Sequence, residues 1–314
     1  MAQTTGTSVF DLNMNDLIEE SFERCGLELR TGYDFKTARR SLNLLTIEWA
    51  NRGINLWTIE EGQIPMVSNQ ITYALPVDTI DILSMVTRTG SDSNQSDLNI
   101  NRISNDTYST IPNKNATGRP IQVWINRQSG QSNPTTVYLA TSISATDTTI
   151  TLSNVSSLAS AGYIKIDSEI IYYPNVDNAT NELLNCYRGQ ANTTASAHIA
   201  TGPSYNYVDV QNLPSINVWP SPNPPGSQYT FVYWRLRRIQ DAGTGITVND
   251  IPFRLLPPLV AGLAYYLSIK LAGVDPQRVA FLQSDYDKQW DLASQEDREK
   301  ASIRFVPRNM SYTR

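Results

Sequence analysis

This 314-residue chain contains no recognisable catalytic constellation, so its candidate acid–base, nucleophilic and metal-binding residues are weighed singly. The one histidine, His198, lies in the Ser/Ala/Thr-rich run TTASAHIATG. A catalytic or metal-bound imidazole needs partners, and no H-E-x-x-H, C-x-x-C, G-x-S-x-G or G-x-x-x-x-G-K-[ST] pattern accompanies it. It reads as a structural residue of a turn. Asp167 and Glu169 alternate, which on a strand projects both carboxylates from one face; a glycosidase pair has this character, although such alternation is common. Glu60 and Glu61 follow Trp57 and are expected to end a helix hairpin and face solvent. Among six tryptophans, Trp49 and Trp290 fall on helical apolar stripes and read as core rather than as a sugar-binding platform. Trp219, beside prolines at a strand end, reads as a corner residue or part of a subunit contact. No catalytic, cofactor or metal site is assigned, and the chain reads as non-enzymatic.

The elements that must position these residues follow from composition and periodicity. With 40% hydrophobic and 18% charged residues the chain has ordinary globular values, and its length allows two or so domains. A net charge of -5 argues against a nucleic-acid grip, which needs a clustered basic face. Cys25 and Cys186 stand far apart, one in a helical and one in a β-like pattern, so a disulfide framework is not expected and maturation in a reducing cytoplasm is. The start MAQTTGTSVF lacks the pattern of a signal peptide.

The most apolar segment is IPFRLLPPLVAGLAYYLSIKLAGVD at 251–275, expected to be a central helix capped by Asp250 and stopped by Gly273. Its stripe is Leu259, Val260, Leu263, Ala264, Leu267 and Leu271, thickened by Leu255, Leu256, Tyr265, Tyr266 and Ile269. The uncharged run between Arg254 and Lys270 is shorter than the roughly 20 residues a membrane span needs. An N-terminal hairpin should cover this helix. Its first arm carries Met14, Ile18, Phe22 and Cys25 and ends at Gly26; its second, capped by Asp34, carries Ala38, Leu42, Leu45 and Trp49, with Leu44 and Ile47 beside them and Gly53 as the stop. A last helix, capped by Asp275, carries Val279, Leu282, Tyr286, Trp290 and Ala293. Between the helical ends, QITYAL, IDILSMVT, QVWIN, VDVQNLPSINVW and TFVYWRLRRI read as strands, with one helical turn near 104–108. VWINRQ and VDVQNLPSINVW read as consecutive strands of one sheet, interrupted by a Thr/Ser/Asn-rich stretch of regularly spaced short strands.

The expected fold is therefore α+β: a discontinuous helical bundle built from both chain ends (1–56 and 250–300), a central antiparallel β-domain (57–128 and 206–249) and an inserted small β-module (129–205). The last residues, 301–314, contain Arg304, Arg308 and Arg314 with Phe305, Val306 and Tyr312 and no acid, the composition of an interaction tail.

In this order the pieces resemble the head-to-tail adaptors of short-tailed bacteriophages, the family that includes tail tubular protein A. The likeness rests on RRSLNLLTIEWANRGINLW at 39–57, ITYALPVDTIDIL at 71–83, GRPIQVWINRQ at 118–128, INVWPSPNPP at 216–225, FVYWRLRRIQDAGT at 231–244 and IPFRLLPPLVAGLAYYLSIKL at 251–271. GYIKIDSEIIYY and NCYRGQANTTASAHIATG resemble a small β-module of phage structural proteins that shorter adaptors lack. The resemblance implies a virion protein of the phage neck, assembled in the host cytoplasm as a homo-oligomeric ring, usually of twelve copies. The ring would sit between the portal protein and the tail nozzle protein, with genome DNA passing through its lumen unbound and no membrane involved. It further implies portal contact through Lys300, Arg304, Phe305, Arg308, Tyr312 and Arg314, and leaves a tail fibre or spike as a partner for the insertion. Receptor or glycan binding through that module is the alternative.

Overall fold

The first helix forms where the sequence supplies both a start and a stop. In the computed structural model, which describes residues 12–54, 56–90, 94–200, 206–223, 229–243 and 250–297, Asn13 Oδ1 accepts the Asp16 amide at 2.9 Å and opens α1 (Met14–Cys25). Gly26, at φ 78°, closes it, a left-handed conformation that glycine adopts without penalty. Met14, Ile18, Phe22 and Cys25 are buried as the spacing requires, and Leu17 joins them. The second helix, α2 (Gly32–Arg52), corrects the expected cap. Thr31 is the N-cap; its hydroxyl accepts the Asp34 amide at 3.2 Å, and the Asp34 carboxylate accepts the Thr31 amide at 3.1 Å. Asp34 is thus the third helical residue of a capping box, and each side chain satisfies a backbone donor the helix leaves open.

Ala38, Leu42, Leu45 and Trp49 of α2 are buried, but Leu44 and Ile47 are 53% and 57% exposed. At 100° per residue the two lie roughly 130° and 170° from the centre of the buried stripe, on the opposite side of the helix. The short α3 (Asn105–Ser109), capped by Ser104, occupies the expected helical turn. The apolar helix is shorter than expected: a 3-10 turn at Phe253–Leu255 leads into α4 (Leu256–Lys270). Asp250 does not cap it; Leu255 takes that place without a side-chain bond, and the first turn holds Pro257 and Pro258, whose missing amides need no acceptor. Leu271 turns extended and ends α4 before Gly273, and Ile269 is 62% exposed rather than part of the core. Asp275 caps α5 (Pro276–Glu296) as the Asp–Pro sequence requires.

Residues of α1, α2, α4 and α5 share one hydrophobic core, in which Leu259, Leu263 and Leu267 are fully buried. α4 lies against the other three helices, and Gly262 makes the approach possible. A Cβ there would come within 2.8 Å of Tyr286 Cε2 and 2.9 Å of Leu45 Cδ2. Two polar groups inside this core are paired: Trp49 Nε1 donates to the Tyr286 hydroxyl at 3.1 Å, and Cys25 Sγ donates to the Ala264 carbonyl at 3.2 Å.

The strands build several sheets, mostly antiparallel, so the fold is mixed α+β with five α-helices among the described residues. One sheet runs in the order Ile59–Pro65, Tyr229–Arg237, Thr79–Thr89, Ser96–Asn99. A second runs Thr72–Ala74, Ser215–Trp219, Gln122–Asn126, Asn101–Ile103, its last pair parallel. Phe231 and Ile82 of the first and Val123 and Ile216 of the second share a core. A third runs Glu169–Tyr173, Gly162–Ile166, Tyr207–Gln211, Ser132–Tyr138, and encloses a separate core around Ile164, Ile171 and Val208. The strand Tyr207–Gln211 is a correction: it was expected in the sheet of Gln122–Asn126, but pairs with Gly162–Ile166 and Ser132–Tyr138. Gly130 N and Asn212 O, 2.8 Å apart, tie the two ends of this region together.

By contacts the chain divides into two compact units, one holding the described residues up to Ile59 with those from Arg238 onward, the other Glu60–Arg237.

Candidate functional site

Three of the residues singled out for chemistry meet in the β-unit. The strands Gly162–Ile166 and Glu169–Tyr173 form a hairpin in which Ile166 pairs with Glu169, so Asp167 and Ser168 are the two-residue turn. Asp167 has φ 52°, a left-handed conformation that Asp tolerates better than most residues. The two carboxylates therefore do not share a strand face, which removes the premise of a glycosidase pair. They converge on one imidazole instead: His198 Nδ1 lies 2.7 Å from Asp167 Oδ2 and Nε2 lies 2.8 Å from Glu169 Oε2. His198 is held in place by a backbone bridge to Ile143, with both N···O distances 2.9 Å.

Glu169 is fully buried and its carboxylate is saturated. Arg188 donates Nε to Oε1 at 2.8 Å and Nη2 to Oε2 at 2.7 Å, a bidentate pair. The amides of Gly189 and Ser196 donate to the same two oxygens at 3.0 and 3.1 Å. Burial alone would raise the Glu169 pKa, but Arg188, His198 and the two amides outweigh it and lower the group to about 2. Arg188 is saturated in turn, donating also to the carbonyls of Ser144, Asp147 and Ser196. A general acid needs a proton to give near neutral pH and room for a substrate; Glu169 has neither. The cluster can do mechanical work: it clamps the hairpin turn, residues 143–147, residues 188–189 and residues 196–198 to one another. His198, expected on a turn, instead lies buried between the Asp167 and Glu169 carboxylates in this hydrogen-bonded network.

The other candidates resolve in the same direction. Glu60 lies on a strand, not at a helix end, and is engaged rather than free in solvent: Arg235 Nη2 donates to it at 2.8 Å and Arg237 Nε at 2.6 Å. Arg235 also reaches Asp78. Burial raises the thiols of Cys25 and Cys186 to about 11 and about 12, against the opposing effects of Arg278 and Arg188, so both stay protonated. Trp49 is fully buried and Trp290 packs on the same core, their rings 5.8 Å apart edge to face. Trp219 donates Nε1 to the Asn113 carbonyl at 2.9 Å and precedes a cis Pro220. Among the described residues no group of three or more His, Cys, Asp or Glu side chains is placed to hold a metal ion, and no helix is long and apolar enough to cross a membrane.

The helices display what a soluble surface usually hides. Tyr33, Leu44 and Ile47 of α2, Ile269 of α4 and Phe281 and Leu292 of α5 are each more than half exposed. Periodicity alone could have flagged Leu44 and Ile47, since neither lies on the buried stripe. The six residues expected to contact a portal, Lys300, Arg304, Phe305, Arg308, Tyr312 and Arg314, lie outside the described residues. No protein-family profile matches the chain, and no curated protein matches its sequence.

Proposed function

We propose that this chain is a structural virion protein, a head-to-tail adaptor that assembles as a ring, of twelve copies by resemblance, between portal and tail nozzle around the DNA channel. The finer architecture belongs to the same proposal. A discontinuous bundle from both chain ends forms the ring, a central antiparallel β-domain lies between those ends in the sequence, and an inserted β-module carries accessory contacts. The carrying observation is the set of large apolar side chains left exposed on the helices, notably Leu44 and Ile47 of α2. Exposed apolar surface of this kind marks protein contact. A ring needs heterologous contacts that close by rotation, and rigid helices supply them. The net charge of -5 suits a lumen through which DNA must slide, because each cationic phosphate contact would retard it. Lys300, Arg304, Phe305, Arg308, Tyr312 and Arg314 are proposed to hold the portal.

The test is the mass of the purified protein, alone and mixed with portal, by analytical ultracentrifugation. A ring, alone or on portal, is expected; a protein that stays monomeric under both conditions ends the proposal. Deleting residues 302–314 should leave a folded chain that no longer joins portal.

One observation favours a second reading, glycan binding. A groove of about 280 Å³ in the β-unit is lined by Trp124, Tyr163 and Tyr172 together with Asn126, Gln211 and Asn217. Aromatic faces beside amides suit a sugar, and the buried Tyr163 hydroxyl, beside Ser215, has no well-formed hydrogen bond. Calorimetric titration of the full chain with host cell-surface polysaccharide tests it; absence of heat that Trp124→Ala could abolish removes it.

A further inference from the structure

The helical unit contains a groove of about 570 Å³ between α1 and the start of α4. Its floor is apolar, made by Leu12, Phe253, Leu256, Pro257 and Val260. Its rim is acidic: Asp16, Glu19, Glu20 and Glu23 fall on one face of α1, and the single cation on the rim is Arg24. Arg24 is already engaged, with Glu20 at 2.9 Å and Asp285 at 3.6 Å. Asp16, Glu19 and Glu23 have no cationic partner among the described residues, although all three are exposed. Such a groove suits an extended peptide with apolar side chains pointing down and cations pointing up.

This chain carries a segment of that composition. From Lys300 to Arg314 there are four cations, Lys300, Arg304, Arg308 and Arg314, and no acid, interleaved with Ile303, Phe305, Val306 and Tyr312. The described chain ends beside the groove. Glu296, the last residue of α5, is 3.5 Å from the Arg254 guanidinium, and Arg254 in turn lies against the ring of Phe253, which walls the groove. The fifteen residues from 300 reach about 50 Å when extended, whereas α1 is about 18 Å long, so the tail can cover the groove with slack. The other end of the chain also leads to the groove, at Leu12, but residues 1–11 hold no Lys or Arg and one acid, Asp11, the wrong charge for this rim.

We infer that the groove between α1 and α4 is the docking site of the chain's own basic tail, folded back in cis. Such docking would put the tail's aromatic side chains towards the apolar floor at Val260 and Leu256 and its arginines towards Glu19 and Glu23. The inference does not depend on the portal reading: it needs no second protein. If both hold, portal and groove compete for the same side chains.

The test uses the full chain. Cys25 and Cys186 are buried, so a pair introduced by Asn15→Cys on α1 and Asn309→Cys in the tail can be oxidised selectively with diamide. The expected product is an intramolecular disulfide, seen as a faster monomer band on a non-reducing gel and confirmed by peptide mass. Its rate should be independent of protein concentration and fall about tenfold between 0.05 and 0.5 M salt, as screened ion pairs require. Glu19→Lys with Glu23→Lys, or Arg304→Glu with Arg308→Glu, should each slow it about as much, and the two reversals combined should restore it. Glu19 and Glu23 are exposed, and an unchanged thermal transition checks that the fold survives each reversal. No disulfide, a disulfide only between copies, or a rate indifferent to salt and to both reversals overturns the inference.

Discussion

The helical unit and the β-unit handle polar and apolar groups in opposite ways. Around α4 the core is almost wholly apolar, and the unit leaves Leu44, Ile47, Phe281 and Leu292 in solvent. Around Glu169 the β-unit buries a carboxylate, a guanidinium and an imidazole together and fills nearly every hydrogen-bonding position they have. The first arrangement is close-packed and apolar inside and leaves apolar side chains outside; the second is self-contained and intolerant of losing any member. The difference teaches where partners are to be sought: on the surface of the helices, not at the residues whose types suggest chemistry.

The largest expected effect tests the apolar half of that contrast. Leu263→Asp places a carboxylate at a fully buried position with no partner, and the helical unit should not fold, as loss of helical circular dichroism would report. Glu169→Ala is the corresponding break in the β-unit. It leaves Arg188, itself nearly buried, without its counter-ion, and should cost about 3–5 kcal/mol in chemical denaturation. Arg188→Met combined with Glu169→Leu should recover part of that loss; equal damage from the double variant would show that the cluster is more than a paired charge.

Acid probes the same cluster less severely. Because Glu169 is lowered to about 2 in the folded chain and titrates near 4.3 when unfolded, its ionised form contributes stability at pH above that ordinary value. The contribution is lost as pH falls from about 4.3 through about 2, so the protection factors of the Ile164 and Ile171 amides, taken against the unfolded-chain exchange rate at each pH, should fall in that window in the wild type. The Glu169→Ala variant should lack this part of the response; an identical acid profile would assign it to other groups.

Gly262→Ala adds a methyl group where Tyr286 and Leu45 already approach, and should cost about 1–3 kcal/mol through overpacking, read as a lowered melting temperature. Smallest in stability is Leu44→Asp with Ile47→Asp, expected to change unfolding by less than about 1 kcal/mol because both side chains are exposed. Its effect should appear only in self-association, measured by sedimentation. If the pair unfolds the protein instead, these residues belong to the core and the contrast fails.

Helices were legible wherever the signal was local. Gly26 and the stripe from Met14 to Cys25 could be read directly because period and stop lie within one short segment. The start of α2 was read three residues late, since Thr31 and Asp34 cap one another and the sequence does not show which of the two stands outside the helix. Glu60 was misplaced for a different reason: its partners, Arg235 and Arg237, lie about 175 residues away. No pattern in IEEGQIP announces them.

Amino-acid order by itself determined the α+β composition, most of the buried stripes of α1, α4 and α5, and the acid-free character of residues 301–314. Only the tertiary structure decided that Asp167, Glu169, Arg188 and His198 form one network, that Tyr207–Gln211 joins the sheet of Gly162–Ile166, and that an acid-rimmed groove opens beside the end of α5. The physical reason is range. Period and capping depend on residues three or four apart, whereas strand pairing and charge burial depend on which distant surfaces meet, and many pairings satisfy the same local pattern.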